Sequence, residues 1–303
     1  MASTFTGLYT ATSGLYASQV AMSVATNNIS NANTEGYSRK TVTQSAIGPA
    51  AVYISTASTG SGVEVTSVQR ERDALLDEHY WEENCVSTEW STKAEFVSSL
   101  EDTLEDIDGK GLSTLVTSFS TALEDLADDP SASETRTAVQ QAGVAVCDYL
   151  NSMATSLSTM RDQLNEEVDT TVDEINSYSS QIAKLNNQIK VAAVAGVDTS
   201  DLEDQRGVLL DSLSALVNIE VSETTVGTSA TGEDVTTLVV SIDGGTLVNG
   251  SNYRTLECST NTEGMYDVSW SETGASVEPE SGQLGALLEL RDGTGEDGEY
   301  KGI

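Results

Sequence analysis

Apolar residues recur at seven-residue intervals at the start of the chain: Leu8, Leu15, Met22 and Ile29. This stripe predicts one amphipathic helix over 4–32, spaced to pack on other helices. Small residues three positions on, Ala11, Ser18 and Ala25, leave room for a neighbouring helix to approach. The stripe runs into Thr26-Asn27-Asn28-Ile29-Ser30-Asn31-Ala32-Asn33-Thr34-Glu35-Gly36-Tyr37-Ser38-Arg39. Asn and Gly tolerate the left-handed backbone that ends helices, so the stop is abrupt. A partner-seeking helix with a fixed exit points to assembly rather than catalysis.

From 40 to 72 the period shortens to two. Thr41-Val42-Thr43, Ala51-Val52-Tyr53-Ile54 and Val63 to Val68 alternate apolar with polar, punctuated by Gly60-Ser61-Gly62, which is strand chemistry. Helical spacing returns over 73–108, with Leu75, Leu76, Tyr80, Trp81, Trp90, Phe96, Val97, Leu100 and Leu104 as the expected buried side. A further helix fits 112–127, carrying Leu112, Leu115, Val116, Phe119, Leu123 and Leu126, and Asp128-Asp129-Pro130 ends it. Ser131 and Glu134 have the spacing of a capping box, so a new helix is expected there. It should run to about Val194 on the heptad Val168, Val172, Ile175, Tyr178, Ile182, Leu185, Ile189, Ala192, with Thr171 as a polar lapse. About 60 residues at 1.5 Å each reach roughly 90 Å, the length of a rod-like bundle helix.

Gly196 breaks that helix, and Leu202, Val208, Leu209, Leu213, Leu216 and Val217 mark a shorter returning one. Beyond Asn218, short apolar runs sit among Gly, Thr, Ser and Asp, with hairpin signals at Asp243-Gly244-Gly245 and Asn249-Gly250. Leu284, Leu287, Leu288 and Leu290 then resume a helix. The expected fold is mainly α with an inserted β domain: a long antiparallel helical bundle or coiled-coil core preceded by an N-terminal assembly helix. The expected domains are 1–72 (assembly helix and extended segment), 73–218 returning at 283–303 (helical bundle), and 219–282 (small outer β domain).

The net charge of −34 leaves no basic patch to neutralise phosphates, so nucleic acid is not an expected partner, and no segment has the length for membrane insertion. Most of this charge reads as a solvated acidic surface that keeps monomers apart. Cys85, Cys147 and Cys258 lie far apart without a CxxC pair, which reads as three reduced, mostly buried thiols and no zinc site. His79 is the single histidine, so HExxH is impossible and any catalytic triad would have to use it; a helix-surface role fits better. Asp106-Ile107-Asp108-Gly109 looks like part of a calcium loop, but Leu104 and Leu115 would then occupy ligand positions. No phosphate-binding glycine loop follows a strand. No catalytic residue, metal or cofactor is expected. An enzyme would need a cleft built of Ser, Asp and Tyr.

The stretch from Gly14-Leu15 through Ala21 and on to Arg39 resembles the N-terminal signature of the flagellar rod, hook and hook-associated axial proteins, whose usual form is close to NNIANANTPGYSR. Here Ser30 stands where Ala is usual and Glu35 where Pro is usual, while Gly36 keeps the helix stop. The Tyr37-Ser38-Arg39 ending is similar to the hook-associated protein 1 family, the hook–filament junction proteins. The run from Gly62 to Asp77 resembles the next family block. Asp201 to Asp211 resembles the family's NDLLDQRD block, with Gly207 where Asp is usual. That departure is expected to weaken the helix by about 1 kcal/mol.

The resemblance implies a structural part of the bacterial flagellum. It implies copies arranged in a ring on the hook, with the hook protein below, the second hook–filament junction protein above, and the flagellar export apparatus as partners. It also implies an extracellular location reached without a cleaved signal peptide. Members of that family carry further helices beyond this point, one of them packing on the first helix, so the resemblance implies that this chain stops early, as a truncated product or a fragment. Subunit assembly is assigned to Leu8, Leu15, Met22, Ile29, Asn27, Asn28, Asn31, Asn33, Gly36 and Tyr37. The first helix is expected to be disordered until it docks, because a lone amphipathic helix does not offset its ordering entropy. The different reading from residues alone is a secreted coiled-coil adhesin or binding module whose β domain holds a ligand.

Overall fold

The structure, a computed structural model, describes residues 5–48, 60–104, 111–228, 234–262 and 264–293. The segment around Tyr53, the Asp106–Asp108 cluster and the acidic C-terminal stretch lie outside those residues. The described helices are α1 (Phe5–Ser30), α2 (Ala74–Leu104), α3 (Leu112–Asp128), α4 (Ser133–Val194), α5 (Ser200–Leu216) and α6 (Gly282–Asp292). The strands are β1 (Lys40–Ala46), β2 (Val63–Arg70), β3 (Glu220–Thr228), β4 (Asp234–Ile242), β5 (Gly245–Asn249), β6 (Asn252–Tyr253), β7 (Leu256–Thr260) and β8 (Tyr266–Trp270). The fold is mainly α with β structure inserted between α5 and α6.

The chain forms two compact units. One holds residues 1–82, 177–213 and 219–254; the other holds 83–176, 214–218 and 255–303. The β region after α5 is accordingly two sheets: four strands in the order β3-β4-β5-β6 in the first unit, and the β7-β8 pair in the second.

In the first unit, β1 and β2 pair antiparallel from Lys40↔Arg70 to Ala46↔Val63, with a bulge at Thr43/Gln44. Strand β4 alternates as its sequence demands: Leu238, Val240 and Ile242 are buried and the residues between them less so. The turn from β4 to β5 uses Asp243 and Gly244, both at positive φ (47° and 67°), the two-residue hairpin turn that a right-handed strand twist favours. Helices α4 and α5 meet about the break at Gly196, whose φ is 70°. Asn186 and Arg206, ten residues either side of it, are joined at 3.0 Å, so the two helices run antiparallel there. Arg206 is buried, and its guanidinium also faces Glu223 at 3.6 Å. Burial is the largest influence on Arg206 and lowers its pKa from the ordinary arginine value.

In the second unit, the heptad of α4 buries Val168, Val172 and Ile175. In the first, the same helix buries Ile182 and Ile189, while Tyr178, Leu185 and Ala192 are half-covered. The polar lapse Thr171 is buried, with its hydroxyl donating to the Glu167 carbonyl at 2.8 Å. Lys93 of α2 is paired with Glu89 at 2.6 Å and with Glu289 of α6. Arg291 of α6 donates to Asn165 Oδ1 (2.9 Å) and to the Tyr266 carbonyl (2.7 Å), tying α6 to α4 and β8. Gly293, at φ 69°, ends α6 with its N–H on the Glu289 carbonyl.

Several expectations are corrected. In α2 the buried apolar residues are Trp81 and Cys85, while Leu75, Leu76, Tyr80, Trp90 and Val97 are exposed. Apolar residues sit on both sides of this helix, so periodicity did not single out the covered one. In α3, Ala122 is buried and Leu112, Val116 and Leu123 are exposed. Of the cysteines only Cys85 is buried; Cys147 is exposed and Cys258 intermediate, and all three are free thiols. Burial and the neighbouring Asp169 push the Cys258 thiol up to about 12. Ser131 does not cap α4: its hydroxyl bonds Asp129 Oδ1, and the helix begins at Ser133. Gly207 is more than a weak point in α5. A Cβ there would lie 2.5 Å from Nη1 of Arg72, whose Nε bonds Asp77 at 2.6 Å, so the glycine leaves room for a held guanidinium.

Candidate assembly surface

Helix α1 turns a lean face inward. Ala17 is buried and Thr10, Ser13, Gly14, Val20, Ala21, Val24 and Asn28 are half-covered, at the three- and four-residue spacing of one helix side. Small residues suit this side because the β1–β2 hairpin lies against it. Ser13 Oγ accepts the Val63 N–H at 3.3 Å, and Gln44 Nε2 donates to the Ala17 carbonyl at 3.4 Å.

The other side carries the large residues. Leu8, Leu15, Met22 and Ile29 are 61%, 61%, 71% and 78% exposed, flanked by exposed Phe5, Tyr9 and Tyr16. Ala11, Ser18 and Ala25 are exposed on the same helix. The helix contains no Asp, Glu, Lys or Arg. Several of its hydroxyls donate to the helix's own carbonyls: Thr12 to Leu8 (3.0 Å), Ser18 to Gly14 (2.8 Å) and Thr26 to Met22 (2.9 Å). Monomers rarely leave so many large apolar side chains in water along one uncharged helix, which makes this side the candidate assembly surface.

The asparagines fall elsewhere. Asn28 Nδ2 donates to the Lys40 carbonyl (2.8 Å), and its Oδ1 accepts the Lys40 N–H (2.9 Å) and the Tyr37 hydroxyl (2.8 Å). Tyr37 also reaches Asn27 Oδ1 at 3.1 Å, which accepts from Asn31 Nδ2 at 2.7 Å. Asn33 is exposed in the turn. Gly36 has φ 72° and lies flat on α5: a Cβ there would stand 2.1 Å from Val208 Cγ2. Ser38 N–H donates to Asp204 (3.1 Å), and buried Lys40 reaches Asp201 (2.6 Å) and Asp198 (3.5 Å). Arg70, at the end of β2, adds Glu203 (2.7 Å) and Asp204 (3.4 Å).

The structure thus separates the ten residues expected to serve assembly. Leu8, Leu15, Met22 and Ile29 face outward. Asn27, Asn28, Asn31, Gly36 and Tyr37 are brought together by contacts within the chain, with Asn27 on the exposed rim, and Asn33 stands apart in the turn. Lys40, Asp198, Asp201 and Asp204 complete this cluster; Asp201 and Asp204 lie in the block singled out at 201–211, but no local pattern joins them to Lys40 and Ser38. Lys40 and Asp201 are 161 positions apart.

Burial lowers the pKa of Lys40, but its bond to Asp201 and the charges of Asp198 and Asp201 outweigh it and hold the ammonium above the ordinary range. A raised lysine stabilises fully below its unfolded pKa of about 10.4, and that contribution is lost as pH rises through the folded value. Asp198 is the mirror case. Burial raises it, but Ser200 and Lys40 prevail and hold it below its ordinary value, so its contribution disappears as acid passes that lowered value. Lys40→Met should therefore lower the melting temperature at neutral pH and flatten its fall above about pH 10.4. Parallel alkaline slopes for the two proteins would show that Lys40 carries none of it.

Among the described residues no group of three or more His, Cys, Asp or Glu side chains is arranged to hold a metal. None of the described helices is long and apolar enough to cross a membrane. His79 is exposed and lies 3.4 Å from Glu82.

Residues 97–299 match the family described as the flagellar hook-associated protein FlgK helical domain. The chain belongs to this family. Residues 8–37, which are most of α1 and the turn after it, match the flagella basal body rod protein family. Flagellar hook-associated protein 1 of Bacillus subtilis (strain 168) is 34% identical over 321 residues, covering 100% of this chain and 63% of that protein. The protein of the same name from Salmonella typhimurium is 34% identical over 305 residues, covering 93% of this chain and 51% of that one. The chain therefore spans between half and two-thirds of the length of these FlgK relatives. The flagellar hook junction protein FlgK from Burkholderia pseudomallei shares the fold, with a TM-score of 0.58, 24% identity, and coverage of 72% of this chain and 39% of that one. None of these relatives supports the adhesin reading.

Proposed function

We propose that this chain is a structural axial component of the bacterial flagellum, at the junction of hook and filament, and that it assembles through the outward ridge of α1. The observation that carries the reading is that ridge: four large apolar residues at seven-residue spacing, each more than 60% exposed, on a helix without charge. Membership of the FlgK family supports the setting. Burying each of the four side chains would contribute about 1.5–3 kcal/mol before ordering costs. The mechanism is packing, with no chemical step.

In this reading copies form a ring, the hook protein lies below and the second junction protein above, and the flagellar export apparatus delivers the chain to the cell exterior without signal cleavage. Residues 1–72 serve assembly, 73–218 with 283–303 form the helical body, and 219–282 form the outer β region. The helix α1 gains its final order only between neighbours.

The test places one charge on the ridge. Leu15→Asp, at an exposed position, should leave the melting temperature of the isolated chain unchanged and abolish its incorporation into flagella of the cell that encodes it. Normal incorporation of Leu15→Asp would overturn the reading.

A further inference from the structure

We infer that the C-terminal end of α4 is a docking surface for a second copy of this chain, and that the part of the copy seated there is the acidic end of α3. One stretch of the chain is free of acid. The chain has 48 Asp and Glu, yet none lies between Glu174 and Asp198. Over that stretch α4 carries Lys184, Lys190, Val191 and Val194, Val197 follows in the turn, and all five are exposed. Lys184 and Val191 are seven residues apart and so share a helix side. Neither ammonium has an acceptor among the described residues. Elsewhere basic side chains find carboxylates, as Lys40, Lys93, Arg70 and Arg72 do. Asp198, the first carboxylate beyond the gap, is held by Lys40 and Ser200. A chain whose net charge is −34 thus ends one helix in an apolar surface with two unpaired cations.

Such a surface is complementary to an acidic one with apolar side chains of its own. Helix α3 has that chemistry. Leu112, Val116 and Leu123 are exposed on it, and it contains no basic residue. Glu124, Asp125, Asp128 and Asp129 crowd its last turn and C-cap, all exposed and without an ion pair among the described residues. Arg136, the nearest basic residue in sequence, donates to the Pro130 carbonyl instead. Carboxylates at a helix C-terminus oppose the macrodipole, which favours cations there. The single chain therefore leaves cations uncompensated on α4 and carboxylates uncompensated on α3.

One chain cannot join the two. Helix α3 ends just before α4 begins, and the lysines lie near the other end of that single 62-residue helix. The partner is accordingly another copy, and the contact is heterologous: the α4 end of one copy takes the α3 end of the next. Two lysines do not offset a net charge of −34, so the contact sets the register of copies that the α1 ridge brings together and does not drive their association. In this it rests on the assembly reading above.

Zero-length cross-linking tests it. A carbodiimide joins an amine to a carboxylate only where the two touch, and it is applied to flagella that contain the unaltered chain. Covalent dimers and longer ladders are expected, and mass spectrometry should find Lys184 or Lys190 joined to Glu124, Asp125, Asp128 or Asp129. Lys184→Arg with Lys190→Arg keeps the charges but removes the reactive amines, so it should lose the bond and incorporate as the parent does. Lys184→Glu with Lys190→Glu sets like charges against each other, and incorporation should fall by about tenfold. Adding Asp125→Lys and Asp128→Lys to that chain reverses both sides and should restore most of the loss. All four positions are exposed, so circular dichroism of the isolated chains should not change.

An incorporated chain that yields no such bond would overturn the inference and leave the assembly reading standing. So would bonds from Lys184 and Lys190 only to another flagellar protein, normal incorporation of the charge-reversed chain, or a loss that the double reversal does not restore. If a reversed chain fails to fold, the bond in the unaltered chain decides. Failure of the unaltered chain to enter flagella would instead sink the assembly reading, and this contact with it.

Discussion

Gly282→Ala should lose about 3 kcal/mol or more of stability in the unit that carries α6. Two effects add. Gly282 has φ 86°, where an L-residue with a Cβ is strained by about 1–2 kcal/mol. The added methyl would also stand 2.7 Å from the Leu216 carbonyl oxygen and 2.9 Å from Val217 Cα. Those are main-chain atoms and cannot swing aside. The helix would have to back away, and Leu284, Ala286 and Leu287, all buried, would lose contact. Gly244→Ala is the control: its φ is 67° and nothing lies within 4 Å of its Cβ position, so it should show the backbone term by itself. Denaturant unfolding of both variants measures the difference. Equal losses would mean that the close approach of Gly282 to α5 has no energetic weight.

Asn186→Ala should cost about 3 kcal/mol, by a different route. Asn186 is buried on α4, its Nδ2 donating to the Gly250 carbonyl and its Oδ1 accepting from Arg206, both at 3.0 Å. Arg206 is itself buried, and its nearest carboxylate, on Glu223, is 3.6 Å away and half-exposed. Truncating Asn186 leaves a desolvated guanidinium without its best acceptor and orphans a carbonyl in the β5–β6 turn. Arg206→Met removes the charge while keeping much of the side-chain volume, so it should cost less than Asn186→Ala. The reverse order in guanidinium chloride unfolding would assign the loss to packing. Because the chain has two compact units, the transition read must be that of the unit holding Asn186.

What the sequence made legible was local and periodic. The heptad from Val168 to Ala192 could be read because each turn of α4 repeats one demand. Asp243-Gly244 could be read because the turn needs two residues at positive φ. The ridge of α1 was legible for the same reason as α4. The covered side of α2 was not, because Leu75, Leu76 and Trp90 are as apolar as Trp81, and covering depends on partners far along the chain. The pairing of Trp81 Nε1 with Asp211 at 2.8 Å is one such partner. The role of Asn28 was half legible: its place at the helix stop could be read, its grip on Lys40 could not. Gly207 was read as a weak helix residue, since nothing near it in sequence names Arg72.

Helix α1 carries no charged side chain, in a chain whose net charge is −34. Dissolved salt therefore has nothing to weaken along the seam that the helix would make. It acts instead on the repulsion between acidic bodies, which fades beyond a Debye length of about 10 Å at 0.1 M. Higher ionic strength should then favour polymerisation of this chain, the opposite of its effect on an interface held by ion pairs.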